Sequence, residues 1–232
     1  MSVCSRKIGP FNCCTVVLGD CAKELKKIPA GSIDLVVTDP PYGMNLQPWR
    51  KDQRRIPGDD RFPVDTMKRL IEVPRLAAYF FCRWDNLWDH DSLPKPKSAL
   101  VWEKQRGGTG DCAHTHSRDY EMVLFYPGPE HKFKGRPGDI LVSYREGNDL
   151  HPSTKSPRML RQMLSWYNFE TVLDPYMGIG TTGQAAKALG KHFLGFEIDA
   201  EYQRRGTHLI EREVPTPTRK RGEHTPPLPF YT

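Results

Sequence analysis

Two short stretches concentrate residue types able to do chemistry. The first is Asp39-Pro40-Pro41-Tyr42-Gly43, directly after the apolar run Ile33 to Thr38. Neither proline can continue a helix or a central sheet ladder, so the chain must leave a strand here in a stiff, extended shape. That stiffness gathers the Asp39 carboxylate, a Pro40 carbonyl that no neighbouring strand needs, and the Tyr42 ring. Ligands of open α/β sheets bind at that carboxyl edge. Taken alone, the tetrapeptide reads equally well as a proline turn with Asp39 as an ordinary cap.

The second stretch is Asp174-Pro-Tyr176-Met-Gly178-Ile-Gly180-Thr181-Thr182-Gly183, between the apolar run Thr171 to Leu173 and a helical pattern. Glycines at such a turn permit tight backbone angles and close approach of a ligand, while the helix N-terminus offers unpaired N–H donors. The next strand pattern ends in Gly195-Phe196-Glu197-Ile198-Asp199. An acid about 20 residues beyond a glycine turn is where a doubly wound fold grips ribose hydroxyls, because a carboxylate accepts from two neighbouring donors at once. The combination points to a nucleoside cofactor. The plainer alternative is a tight strand-to-helix turn with Glu197 solvated.

The elements that must position these groups alternate along the chain. Strand patterns cover Thr15 to Leu18, Ile33 to Thr38, Ala78 to Cys82, Ala99 to Trp102, Tyr120 to Tyr126, Thr171 to Leu173 and His192 to Phe196. Several are almost wholly apolar, as strands buried on both faces must be. Helical patterns cover Ala22 to Ile28, Val64 to Ile71, Pro157 to Trp166 and Thr181 to Leu189, the last closing at Gly190. This alternation predicts an α/β fold, a doubly wound and mostly parallel sheet between helices. Residues 43–63 and 104–119 read as long, basic connections, and long loops in compact domains are commonly functional. Residues 1–212 are expected to form one domain, and 213–232 a proline-rich basic tail.

Together and in this order, the two stretches resemble the amino-group DNA methyltransferases that use S-adenosylmethionine, in the permuted arrangement with the catalytic motif first. Asp39-Pro-Pro-Tyr42 matches that family's catalytic tetrapeptide, and Asp174 to Thr182 matches its Asp-Pro-Phe-x-Gly-Ser-Gly-Thr-Thr loop. His151-Pro-Ser-Thr-Lys155 resembles the segment ahead of that loop, and Gly19-Asp20 the family's opening Gly-Asp. Tyr176 replaces the usual Phe, Ile179 replaces Ser, and Ser156 intervenes between Lys155 and Pro157. None of these departures removes a glycine or a catalytic position.

The resemblance implies a Rossmann-like fold with an antiparallel strand, and methyl transfer to N6 of a flipped-out adenine in a specific duplex sequence. An adenine amine is a poor nucleophile and a sulfonium methyl an activated electrophile, so the protein must mainly align them and accept the two N–H groups. Asp39 and the Pro40 carbonyl are the implied acceptors. Tyr42 is the implied stacking platform, and Pro41 a further contact to the base. Asp20, Lys155, Asp174, Tyr176, Gly178, Gly180, Thr181, Thr182 and Glu197 are the implied cofactor residues, with a plain turn role as an equal alternative for Asp20. Arg50, Lys51, Arg54, Arg55 and Arg106 are candidate DNA contacts, with a solvated charged loop as the alternative. Trp84 and Trp88 are expected to pack, and His114 and His116 to lie at the surface. The same acceptor pair would serve cytosine N4. RNA or protein methylation, or a non-catalytic DNA-binding subunit, are more distant readings.

Composition sets the outer bounds. The chain has 232 residues, 38% of them hydrophobic and 27% charged, and 34 basic against 28 acidic residues leave +6. That balance suits a polyanionic partner without proving one. No apolar stretch approaches the roughly 18–20 residues that cross a bilayer, and the N-terminus lacks a signal-peptide core. A cytoplasmic protein, bacterial or phage-encoded, is expected. The six cysteines show no Cys-x-x-Cys spacing, so free thiols are expected. Cys112, His114 and His116 could be drawn as a metal cluster, but no second half of a tetrahedral set appears near them in sequence, and no metal is expected. The chain is short for the family it resembles, with little room for a separate recognition domain. Short recognition sites, dimerisation or a phage or mobile-element origin each fit that economy, and a homodimer is the expectation.

Overall fold

The computed structural model describes residues 5–43, 59, 62–84, 92–104, 113, 114, 116, 119–143 and 155–212. The chain runs through β1 (Lys7–Ile8), β2 (Phe11–Asn12), β3 (Thr15–Leu18), α1 (Cys21–Glu24), a 3-10 turn (Leu25–Lys27), β4 (Ile33–Thr38), α2 (Val64–Glu72), β5 (Pro74–Cys82) and β6 (Ser98–Glu103). It continues through β7 (Tyr120–Pro127), β8 (Ile140–Val142), α3 (Pro157–Ser165), β9 (Thr171–Asp174), α4 (Thr181–Ala188), β10 (His192–Glu197) and α5 (Ala200–Glu211). β1 and β2 form a small hairpin, and the other strands make one sheet in the order β3-β10-β9-β4-β5-β7-β6-β8. The run from β3 to β5 is parallel. β7 is antiparallel to both its neighbours, β5 and β6, while β8 returns parallel to β6.

Every residue of β4 and β9 is buried, as the centre of a sheet covered on both faces demands. Alternate side chains feed two cores. Leu35, Val37, Tyr79, Phe81 and Val172 pack with Met159, Leu160, Met163 and Leu164 of α3, with Ala185 and Ala186 of α4, and with Ile210 of α5. Val36, Ala78, Phe80 and Leu173 pack on the opposite face with Cys21, Leu25 and Ile28 and with Met67 and Leu70 of α2. Tyr79 and Tyr167 satisfy each other's buried hydroxyls at 2.6 Å.

The helix starts follow local chemistry. Asp20 caps α1 by accepting from Ala22 N–H at 3.0 Å, and Asp199 caps α5 by accepting from Glu201 and Tyr202 N–H groups at 2.8 and 3.1 Å. Ser156, the residue inserted relative to the family pattern, caps α3 ahead of Pro157 in the first turn. Past α4, Gly190 at φ +66° turns the chain, and Lys191 N–H closes on Ala186 C=O at 2.9 Å.

The expected α/β sheet, its mostly parallel order and its antiparallel strand are all present. The β1–β2 hairpin, β8 and α5 were not anticipated. The hairpin strands are two residues long, and α5 buries only Gly206 and Ile210, leaving almost no helical period in its apolar residues. The α1 region is four helical residues plus a 3-10 turn rather than one helix from Ala22 to Ile28. Trp84, expected to pack, is 58% exposed, because β5 ends at Cys82 and carries the chain out of the core. His114 and His116 are exposed as expected. Cys14, Cys21 and Cys82 are free thiols. Cys13 departs from the expectation, being disulfide-bonded with its other half outside the described residues; spatial proximity rather than sequence spacing decides which thiols meet. Among the described residues no helix is long and apolar enough to cross a membrane.

Candidate active site

The chain leaves β4 through α2 toward β5 and leaves β9 through α4 toward β10, in opposite directions along the sheet, yet β4 and β9 are hydrogen-bonded neighbours. Such a reversal opens a crevice outside the carboxyl ends of the two strands. Both stretches singled out from the sequence end at this crevice. Thr38, the last residue of β4, donates its hydroxyl to Asp174 Oδ1 at 2.8 Å, joining the strand that carries Asp39 to the loop that follows β9.

Asp174 also accepts from the Thr182 hydroxyl at 2.6 Å and from Tyr176 N–H at 3.2 Å. Its three partners fold the Asp174–Thr182 loop back onto its own strand. Burial pushes the Asp174 carboxyl up to about 6, against the opposing pull of those hydrogen bonds. Within the loop, Gly178 and Gly180 have φ of +53° and +83°, a region open to glycine and strained for other residues. A Cβ added at Gly178 would meet nothing within 4 Å, whereas one at Gly180 would lie 2.6 Å from Ile210 Cδ1. Gly178 therefore faces open space, and Gly180 lies against α5. Thr181 and Thr182 open α4 and are buried.

Glu197, at the tip of β10, accepts from Gly178 N–H at 2.8 Å through Oε2 and from Asp199 N–H at 2.9 Å through Oε1. Burial raises its carboxyl above the ordinary range, and the backbone donors oppose that rise. Beside it, Gly19 N–H donates to Glu197 C=O at 2.9 Å. This places Asp20, whose Oδ1 caps α1, next to the same tip. Leu18 and Ile198 flank Glu197 and are 54% and 53% exposed. A carboxylate between two exposed apolar side chains, hydrogen-bonded to Gly178 N–H, has the acceptor chemistry to hold the hydroxyls of a nucleoside. Tyr176 is partly buried and packs against the core cluster that holds Cys21 of α1, Met67 and Leu70 of α2, and Phe196, the neighbour of Glu197.

Asp39 follows β4 directly. Its Oδ2 accepts from Lys155 Nζ at 2.7 Å, and its Oδ1 accepts from the Tyr42 hydroxyl in a short hydrogen bond. Lys155 also pairs with Glu121 Oε2 at 2.9 Å, and Glu121 in turn with Lys104 at 3.3 Å. The ammonium of Lys155 stands 5.0 Å from the Phe81 ring centroid and 6.0 Å from that of Trp102. Burial works to lower the Lys155 ammonium, but the Asp39 and Glu121 carboxylates outweigh it and hold the group charged. Burial likewise works to raise Glu121, and Lys155 and Lys104 outweigh it. Asp39 stays above the ordinary carboxylate range through burial, with Lys155 opposing and Glu121 reinforcing. Pro40 is buried; Pro41 and Tyr42 are partly exposed.

The structure thus brings Asp39, Pro40, Pro41, Tyr42 and Lys155 together at the end of β4, and Asp20, Asp174, Gly178, Gly180, Thr181, Thr182 and Glu197 around the neighbouring loop. Lys155 stands at the Asp39 carboxylate. Arg50, Lys51, Arg54, Arg55 and Arg106 lie outside the described residues, as do Trp88, Cys112 and residues 213–232. Sequence reading missed Thr38, Lys104 and Glu121. A glutamate inside the otherwise apolar strand Tyr120 to Tyr126 was the available signal for the last.

Residues 33–208, about three quarters of the chain, match the N6/N4 methyltransferase family, whose members are DNA methylases. YhdJ of Escherichia coli (strain K12), a DNA adenine methyltransferase, is 27% identical over 246 residues, spanning 85% of this chain and 82% of its own. The complex of M1.HpyAVI with SAM shares the fold at a TM-score of 0.64 and 21% identity, over 84% of this chain and 98% of the other. The cytosine-N4-specific PvuII DNA methyltransferase does so at 0.65 and 15% identity, over 86% and 88%. The chain belongs to the N6/N4 DNA methyltransferases, as the order of its two motifs implies.

Proposed function

We propose that the chain transfers a methyl group from S-adenosylmethionine to N6 of an adenine flipped out of duplex DNA at a specific sequence. Duplex substrate, a cytoplasmic setting and a homodimer are parts of this proposal. The observation that carries it is the Thr38–Asp174 hydrogen bond: it joins the strand end bearing Asp39 to the glycine loop bearing the cofactor residues, across one crevice. Asp at the first position of Asp39-Pro-Pro-Tyr42 favours adenine over cytosine by resemblance to the family, and YhdJ, an adenine enzyme, is among the relatives.

S-adenosylmethionine, when bound, supplies an activated sulfonium methyl. Glu197 would hold its ribose hydroxyls, Leu18 and Ile198 would flank its adenine, and the Gly178–Thr182 turn would cradle its methionine end. For the base, Asp39 and the Pro40 carbonyl accept the two N–H groups of the exocyclic amine. They draw the nitrogen toward a tetrahedral shape and stabilise the charge developing on it. Both Asp39 oxygens are engaged in this structure. Lys155 is a buried ion-pair partner that fixes the carboxylate, so the exchangeable bond is that of Tyr42. The incoming amine takes Oδ1 from the Tyr42 hydroxyl, and the Tyr42 ring stacks on the base, returning about 1–3 kcal/mol of the unstacking cost.

Incubating the protein with labelled S-adenosylmethionine and duplex DNA, then digesting the DNA to nucleosides, tests the proposal. Labelled N6-methyladenine is expected. N4-methylcytosine in its place overturns the base assignment, and label in RNA or protein but not DNA overturns the substrate class.

A further inference from the structure

Away from the crevice, three side chains with soft or borderline donor atoms converge at the opposite ends of the strands. Cys13 and Cys14 occupy the turn between β2 and β3, and His192 is the first residue of β10. Cys13 Sγ lies 3.3 Å from His192 Nδ1 and Cys14 Sγ lies 3.7 Å from it. All three donor atoms fall within 4.8 Å of one another. A tetrahedral zinc ion, with Zn–S of about 2.3 Å and Zn–N of about 2.0–2.1 Å, holds its sulfur and nitrogen ligands about 3.5 Å apart. The two measured S···N separations straddle that value.

The backbone independently fixes the arrangement. Cys14, at φ +60°, is the only non-glycine residue with positive φ among the described residues. Strain of this kind, of order 1 kcal/mol or more, persists where surrounding structure enforces it. Here Cys14 N–H donates to Phe193 C=O at 2.6 Å, and Cys13 N–H donates to Arg6 C=O at 3.0 Å. The turn is therefore docked on β10 by its main chain, with both sulfurs beside His192.

We infer that, once its disulfide is reduced, the chain binds a thiophilic divalent cation of the zinc type through Cys13, Cys14 and His192. Cys13 is disulfide-bonded in this structure, and Cys14 is free and exposed. A dithiol reductant delivers two electrons to the S–S bond; with two protons, each sulfur becomes a thiol and the reductant becomes a disulfide. The cation then displaces the Cys13 and Cys14 thiol protons to solvent and takes the Nδ1 lone pair of His192 in the tautomer that carries its proton on Nε2. Water completes the set of four. His192 and Glu197 stand at opposite ends of β10, about 17 Å apart at the rise of a strand. The cation would tie the β2–β3 turn to the sheet without touching the methyl-transfer crevice, so this site stands or falls apart from the proposed function.

Cobalt titration of the full-length protein tests it. After reduction and anaerobic removal of reductant, cobalt is added while thiolate-to-cobalt charge-transfer and d–d absorption are followed. One equivalent with tetrahedral bands is expected, displaced by zinc and absent from the oxidised protein. Cys14→Ser, at an exposed position, and His192→Ala are each expected to weaken binding at least tenfold while keeping the wild-type circular dichroism and methyl transfer. No stoichiometric uptake by the reduced protein overturns the inference, as do unchanged bands and affinity in both variants.

Discussion

Asp39 sits at the end of a chain of buried charges: Lys104, Glu121, Lys155 and then its own carboxylate. Accepting an amine N–H requires the ionised carboxylate. Because burial holds the Asp39 carboxyl above its ordinary value, methyl transfer should fall as pH drops through a range above the usual carboxylate region near pH 4. The Glu121 charge contributes to that elevation, so Glu121→Gln should move the acid limb of the kcat/KM profile to lower pH, while Asp39→Ala should lower kcat about 10²–10³-fold at all pH. A profile for Glu121→Gln that shifts upward, or not at all, contradicts this assignment. Asp39 was legible because two prolines and a tyrosine mark it. Glu121 was not, since a strand glutamate is ordinarily solvated. Its burial follows from the packing of Lys155, 34 residues on in the sequence, against the same strand.

The loop between β9 and α4 illustrates how elements impose residue choice. Gly180 combines a left-handed backbone with contact to α5, a helix whose Gly206 lets it approach: a Cβ there would stand 2.9 Å from Gly178 C=O. Gly180→Ala is expected to destabilise the fold by about 1–3 kcal/mol, from φ strain together with displacement of Ile210. That amounts to a fall in Tm of several degrees, roughly 2–4 °C per kcal/mol at this size. It should also weaken S-adenosylmethionine binding by calorimetry. An unchanged Tm would mean that α5 yields freely. The glycine turn itself was legible, because strand, Gly-x-Gly and helix are contiguous in sequence. The helix against which it packs was not, since α5 faces the core with so few apolar residues.

The molecule as a whole carries +6, and the basic residues proposed to grip DNA would act through that net field as well as through individual contacts. Binding to duplex DNA should weaken with salt, and each phosphate contact contributes about −0.9 to the slope of log K against log[salt]. Replacing Arg50, Lys51, Arg54 and Arg55 by alanine should flatten that slope by roughly 2–4, reduce affinity similarly for all sequences, and leave the methylated base unchanged. A slope equal to that of the parent protein would return these residues to the role of a solvated loop.

The sequence by itself determined the fold class, the parallel core strands, the two motifs and the family they resemble, because each rests on residues close together in the chain: apolar runs, prolines, a glycine turn, an acid one strand further on. Tertiary structure alone decided that β4 and β9 are neighbours across a reversal of chain direction, that Thr38 joins the two motifs, and that Lys155 and Glu121 flank Asp39. It also decided that Cys13, Cys14 and His192 meet. These contacts span from about 30 to nearly 180 positions, and partners so far apart are selected by packing and desolvation, which no local pattern of residues encodes.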